Sequence, residues 1–340
     1  MNTGEAKILL SHGNGGRMMH DLIENLFLKS FANPILDEQT DAAIVTAGSA
    51  EIAFTTDSFV IDPIFFPGGN IGKLAVCGTV NDLAVSGADP RYISVSFIIE
   101  EGLPLKELEL IVRSLADEAE KAGVIIVTGD TKVVNRGKCD KLFINTAGIG
   151  SVKTENRLVS KARDIRPGDL VIINGTIGDH GMAVMSARES FNFKTPVVSD
   201  CASLNHLIRE VLDQTTSIKF MRDPTRGGVA TVLNELAEKT GLGFEIDESA
   251  LPMSPGVTAM CELLGFDPLH IANEGKVLIV ADQSEGNHIL EIMKNNDLGK
   301  KSAIIGRVVE DHPGKIVLKT ETGGRRIIDS LTGDPLPRIC

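Results

Sequence analysis

Residues 71–97, IGKLAVCGTVNDLAVSGADPRYISVSF, carry both periodicities on which the fold turns. Leu74, Val76, Val80, Leu83 and Ala84 fall roughly at helical spacing and predict a helix over 71–86. Tyr92-Ile93-Ser94-Val95-Ser96-Phe97 alternates as a strand does. The glycine-rich loop Pro67-Gly68-Gly69-Asn70 leads into the helix. Upstream, AAIVTA (42–47) and EIAFTT (51–56) read as two short strands across a Gly48-Ser49 turn. Downstream, Leu105, Leu108, Ile111, Val112, Leu115 and Ala119 mark an amphipathic helix that Gly123 is placed to stop, followed by strands over 124–127 and 142–149.

A polar stretch, Ser151 to Gly168, then interrupts the pattern, and the expected boundary lies there. The second half opens on the strand Leu170-Val171-Ile172-Ile173. It continues with helices near 204–213, 226–239 and 284–295, and strands near 243–247, 276–281, 302–309, 315–319 and 325–328. Strands interleaved with helices mean a mixed α/β to α+β chain and not a bundle. The expected organisation is an N-terminal glycine-rich segment (1–40), a first domain (41–155), a second α+β domain (156–330) and an extended tail (331–340).

Composition narrows the function classes. At 340 residues the chain can hold two cores. Lys and Arg number 34 against 46 Asp and Glu, a net charge of −12, which argues against a nucleic-acid partner. No apolar run approaches the length of a membrane span, and MNTGEAKILLSHGNGG does not read as a signal peptide, so a cytoplasmic protein with no membrane partner is expected. Five cysteines (Cys77, Cys139, Cys201, Cys261, Cys340) are odd in number and lack a C-x-x-C pair, which disfavours a zinc site or a disulfide framework.

Four aspartates stand where strands or helices are expected to meet loops: Asp41, Asp57, Asp82 and Asp130. Each alone reads most simply as a cap or turn residue. Asp82 resists that reading, because it falls inside a helical pattern where Asp is a poor former. Carboxylates that converge are favourable together when a hard cation such as Mg²⁺ bridges them to phosphate. The glycine runs Gly13-Asn14-Gly15-Gly16 and Gly68-Gly69-Asn70 can offer backbone N–H groups to an anion, although most such loops are turns. Neither G-x-x-x-x-G-K-[ST] nor G-x-G-x-x-G occurs, which disfavours P-loop and Rossmann sites. In Arg222-Asp223-Pro224-Thr225-Arg226-Gly227-Gly228 a turn opens a helix. It reads equally as an anion site on the helix N-terminus or as an N-cap by Asp223 with Pro224 at N1.

The segments DAAIV (41–45), TTDSFV (55–60), GTVNDLAVSGADP (78–90) and VTGDTKVV (127–134), in this order, resemble the ATP-binding half of the aminoimidazole ribonucleotide synthetase-like, or PurM-like, superfamily. SHGNGGRMMHDLI (11–23), MRDPTRGGVATVLNELA (221–237), IANEGKVLIV (271–280) and PRIC (337–340) resemble its hydrogenase-maturation HypE family in particular. The resemblance covers essentially the whole chain. It implies a two-domain PurM-like fold, a homodimer with ATP at its interface, and Mg²⁺ held by Asp41, Asp57, Asp82 and Asp130. It further implies ATP contacts from Asn70, Lys73, Asn81, Asp82, Asp130, Thr131 and Asp223. The implied activity is that of a carbamoyl dehydratase. On that resemblance a carbamoyltransferase, HypF, is expected to load the thiol of Cys340, and ATP to drive dehydration to a thiocyanate. The resemblance also implies a HypC–HypD complex as acceptor of the cyanide for NiFe-hydrogenase iron.

The chemistry stands on its own logic. A thiocarbamate oxygen leaves poorly, phosphorylation turns it into a good leaving group, and loss of the N–H protons leaves C≡N. Lys132 and Glu274 are the candidates for proton transfer and orientation, with a surface ion pair as the ordinary alternative for each. Two prolines bias the tail, Asp334 to Cys340, towards an extended arm, which over seven residues spans roughly 20 Å. A small-molecule kinase of the same superfamily, which would not need Cys340, and a non-catalytic maturation scaffold are the competing readings.

Overall fold

The computed structural model describes residues 7–13, 16–31, 33–188, 196–331 and 338–340. Two parts of the expectation fall outside it: Asn14 and Gly15 of the first glycine run, and residues 332–337 of the tail.

The first half builds a five-stranded sheet. Its strands are β1 (Ala43–Ala47), β2 (Ala50–Phe59), β5 (Ala88–Glu100), β6 (Ile125–Val134) and β7 (Leu142–Val152), with the short hairpin β3 (Phe65–Phe66) and β4 (Gly69–Asn70) set apart. The order is β1-β2-β7-β5-β6. β5 and β6 run parallel, and helix α3 (Leu105–Ala122) makes the crossover between them. Helix α2 (Ile71–Val85) lies on the sheet and is buried nearly all round, packed against α3 on one side and the second half on the other. Preceding these, α1 (Arg17–Leu22) continues through a π-helical turn (Ile23–Leu28).

The second half forms a seven-stranded sheet from β8 (Leu170–Ile173), β9 (Ile218–Arg222), β10 (Gly243–Asp247), β11 (Leu278–Ala281), β12 (Ala303–Val309), β13 (Ile316–Lys319) and β14 (Arg325–Ile328). Its order is β14-β13-β10-β12-β8-β11-β9, and β10 with β13 is its parallel pair. Helix α6 (Gly228–Thr240) covers one face, with Val229, Leu233 and Leu236 against Phe244 and Val280. Helices α5 (Asn205–Gln214) and α8 (Gly286–Asn295) cover the other, joined there by Ala84 and Val85 of α2. Helices α4 (Asp179–Ser186) and α7 (Pro255–Leu264) pack against the first unit, so its core continues into theirs.

Several expectations change in extent. Strand β5 begins four residues earlier than the alternation suggests, because a bulge between Pro90 and Tyr92 absorbs the proline. β6 runs on through Gly129-Asp130-Thr131, a loop-like sequence that pairs with β5 all the same. Asp57 and Asp130 therefore lie inside strands and not at their ends. Gly123 closes α3 in the left-handed conformation, as expected (φ 71°). β9, α1, α4 and α7 are elements that periodicity did not reveal.

Candidate active site

The register of the first sheet sorts its polar residues onto two faces. Asp57, Thr146, Val95 and Gly129 form one row across β2, β7, β5 and β6. Thr146 is fully buried and hydrogen-bonded to Thr79 of α2, so this row faces the helices. Gly78 lies directly above it: a Cβ there would stand 2.9 Å from the Phe59 ring and 3.3 Å from Asp57 Oδ2. The absence of a side chain lets the Asp57 carboxylate reach the helix surface.

Asp82 projects from α2 beside this point and accepts a 2.8 Å bond from Thr55 Oγ1. Asp41, just before β1, is held by Arg222 Nε at 2.8 Å, and Arg222 also pairs with Glu235. Asp223 follows β9 and is buried. It does not cap α6: Gly227 takes that position in the left-handed conformation (φ 75°) with no side-chain bond, so the capping alternative falls and the carboxylate is left for the cluster. Gly228 must also be glycine, because a Cβ would meet the carbonyl oxygens of Leu269 and Ile271 at 2.5 and 2.6 Å.

Asp41, Asp82 and Asp223 each offer an oxygen within 4.8 Å of the others. Asp57 and Glu274 stand close enough to press on the same charges. Burial, with Asp223, Asp57 and Asp41 adding repulsion, pushes the Asp82 carboxyl well above its ordinary range. Asp223 is pushed up to about 8 by burial and by Asp41. Such convergence is unfavourable unless a cation enters, and hard oxygen donors of this kind suit Mg²⁺.

A cavity of about 110 Å³ opens onto the cluster, lined by Asp57, Asp82, Asp223, Arg226, Glu274 and Cys340. It is far smaller than the roughly 300–1,000 Å³ of pockets that enclose a whole drug-sized ligand, and its scale suits a small acyl group. Glu274 is buried, its Oε1 has no partner among the described residues, and burial with Asp223 and Asp200 nearby raises its pKa well above the usual value. Cys340 is half-buried, and loss of solvent pushes its thiol up to about 12 against the opposing charge of Arg226.

The thiol is carried in by Arg338-Ile339-Cys340. Val60 N–H donates to the Cys340 carbonyl and Asp62 N–H to the Arg338 carbonyl, both at 3.2 Å. Arg338 returns a bond to Val60 O at 3.2 Å and pairs with Asp140 at 2.7 Å. Ile339 is 3% exposed and belongs to the core that also holds Met182, Val257 and Ile271.

Other expected site residues lie elsewhere. Asp130 shares its row with Ser96, Asn145 and Ser58, on the face of the sheet turned away from the helices. There it pairs with Lys132 at 2.7 Å, both exposed. Within one chain Asp130 and Lys132 do not meet the cluster, and Asp223 stands where Asp130 was expected among the converging carboxylates. Asn70 caps α2 through Gly72 N and Lys73 N, while Lys73 Nζ reaches Gly68 O. Asn81 ties α2 to Ala202, Leu204 and Glu274. Thr131 N–H donates to Asp130. Sequence reading missed His180, which meets the tail, and the buried Asp200–Lys276 pair (2.9 Å), whose carboxylate also receives the backbone N–H of Glu274.

Residues 39–152 match the N-terminal domain of AIR synthase related proteins, and residues 166–319 match their C-terminal domain. Carbamoyl dehydratase HypE of Rhizobium leguminosarum bv. viciae is 50% identical over 341 residues, covering 100% of this chain and 97% of that protein. The chain also superposes on a crystal structure of a HypE–HypF complex with a TM-score of 0.85 at 48% identity, over 91% of this chain and 99% of that one. A crystal structure of hydrogenase maturation protein HypE in complex with ATP gives a TM-score of 0.81 at 44% identity, over 98% and 100%. With two matched domains and half of its residues shared end to end, the chain belongs to the AIR synthase related family and, within it, to the HypE carbamoyl dehydratases.

Proposed function

We propose that this chain dehydrates an S-carbamoyl group on Cys340 to a thiocyanate at the expense of ATP, for assembly of the NiFe-hydrogenase iron centre. The observation that carries the reading is the seating of Cys340 in a small cavity with Glu274 and the acidic cluster. Family membership and the ATP complex of a relative support it.

The reaction balances as follows. The γ-phosphoryl group of ATP is transferred to the carbamoyl oxygen, and one N–H proton is lost as the C=N bond forms. Phosphate then leaves with the C–O electron pair and the second N–H proton is removed, giving Cys340–S–C≡N, ADP and phosphate. Glu274 is buried beside the thiol, and its Oε1 has no hydrogen-bond partner among the described residues, which suits it to take an N–H proton. Arg226 supplies positive charge to the transferring group. Asp41, Asp82 and Asp223, with Asp57 adjacent, would hold Mg²⁺, which neutralises phosphate charge when bound. The seated thiol lines a cavity of about 110 Å³ and Ile339 beside it is buried, which leaves no room for a donor protein, so carbamoylation belongs outside the cavity. HypF is the donor we infer, in keeping with the HypE–HypF complex, and HypC–HypD the acceptor. A carrier thiol must stay reduced, which assigns the reaction to the cytoplasm. Among the described residues no helix is long and apolar enough to cross a membrane.

A homodimer completes the reading. Phe54, Ile149, Tyr92 and Ile125 form one row across four strands of the outer sheet face, 38–60% exposed. A second copy on that face would bury this row and bring its surroundings, Asp130 and Lys132 included, into an interface.

Intact-mass measurement tests the reaction. Carbamoylated protein given Mg-ATP is expected to lose one water from Cys340, about 18 Da, and Cys340→Ala to accept no carbamoyl group. ATP consumption with an unchanged tail would point to a kinase, and a Cys340→Ala variant that turned over normally would end the proposal.

A further inference from the structure

Helix α4 begins directly after the β8 strand and its glycine turn, and its second residue, His180, is fully buried. The ring packs edge-on to Phe66, with centroids 5.3 Å apart at 85°. Its Nε2 lies 2.8 Å from the carbonyl oxygen of Ile339, and its Nδ1 lies 2.8 Å from Ser199 Oγ. A carbonyl oxygen only accepts, so Nε2 carries the hydrogen. In the neutral ring, which burial favours, Nδ1 then accepts from the Ser199 hydroxyl, whose oxygen in turn accepts Cys201 N–H at 3.1 Å. A chain of three bonds thus fixes one tautomer and aims one donor at the residue before the thiol.

A buried histidine is often only a satisfied core residue. Here its donor is directed at the one segment that, on the reading above, must leave and return in each cycle. The neighbouring bonds, from Arg188 and Asp62 to the Arg338 carbonyl and from Val60 to the Cys340 carbonyl, flank this contact without replacing it.

We infer that His180 is a positioning residue for the carrier tail: through Ile339 it latches the peptide so that Cys340 stands at the acidic cluster. It acts on the seating of the thiol, not on its loading. The inference rests on the dehydratase reading for its purpose, but its test needs neither ATP nor a carbamoyl group.

In unmodified protein, alkylation by a small thiol reagent is followed site by site through peptide masses. His180→Phe keeps the ring and removes the donor, and Cys340 is expected to react about tenfold faster, the change that loss of one hydrogen bond produces in a docking equilibrium. His180→Gln, which offers an amide N–H at similar reach, is expected to return the rate to within about twofold of the parent. Cys77 and Cys201, both buried, report on global opening. Acceleration shared by all three thiols would mean a loosened fold and overturn the latch, as would a Cys340 rate unchanged in His180→Phe. Failure of carbamoylated protein to lose water would instead overturn the dehydratase reading and leave the latch standing.

Discussion

Asp223 concentrates the electrostatic problem of the site. Its pKa stands near 8 because burial and Asp41 both oppose its charge. A carboxyl raised above its ordinary value near 3.8 contributes stability in full below that value, and the contribution is lost as pH climbs through about 8. Metal-free protein is therefore expected to lose stability between pH 5 and pH 8. Asp223→Asn should flatten that slope and raise the melting temperature at pH 8 in chelator by about 2–4 °C, the shift that ~1 kcal/mol produces in a sizeable domain. The same variant should bind Mg²⁺ more weakly. Thermal scans at the two pH values decide the matter, and a variant less stable than the parent at pH 8 would contradict this account of the cluster. Part of the cluster was legible beforehand. Asp82 stood out because a helical pattern should not contain it, and Asp41 and Asp57 ended or opened apolar runs. Asp223 looked equally like a cap, since a local sequence does not say whether Gly227 will take the left-handed position first. His180 gave no signal: GDHG after an apolar strand reads as a loop, and the partner that gives the ring its purpose lies 159 residues away.

At the level of elements, α2 joins the two halves of the site. Its start is secured by Asn70, whose Oδ1 accepts from Gly72 N at 2.9 Å and Lys73 N at 3.2 Å. Asn70→Ala is expected to lower stability by about 1 kcal/mol in urea titration whether or not ATP is present, and Asn70→Asp to recover most of it. An Asn70→Ala protein as stable as the parent would contradict the capping role. The helices and strands with clear periodicity, α2, α3 and β10 among them, were readable to within a few residues. Those missed have recognisable causes. α4 is short and buried nearly all round, so it has no polar face to mark its period. β6 continues through Gly129-Asp130-Thr131 because strand pairing with β5 overrides weak local preference.

Among the described residues the molecule leaves one sheet face uncovered while closing the other around the site. Whether Asp130 and Lys132 take part in the reaction depends on that face, and sequence alone does not separate the two sides of a strand when the residues involved are all polar. Tyr92→Asp places a charge in the exposed row beside Ile149 and Ile125. Sedimentation is expected to show a dimer for the parent and a shift of most of the protein to monomer for the variant. An unchanged dimer would remove the outer face as the contact surface.

Ile339 is counted among the core side chains, and this sets the energetics of the catalytic cycle. A chain end that is loaded elsewhere must withdraw a buried isoleucine from the interior and return it. Exposing such a side chain costs about 1.5–3 kcal/mol, even before the tail's hydrogen bonds are counted. That burial alone favours the docked arrangement by about tenfold to a hundredfold, a bias against which the entropy of ordering the tail is set. A loading partner that captures the undocked form surrenders the net bias from its own affinity. Once it releases the modified thiol, the isoleucine draws the tail home without any further source of energy.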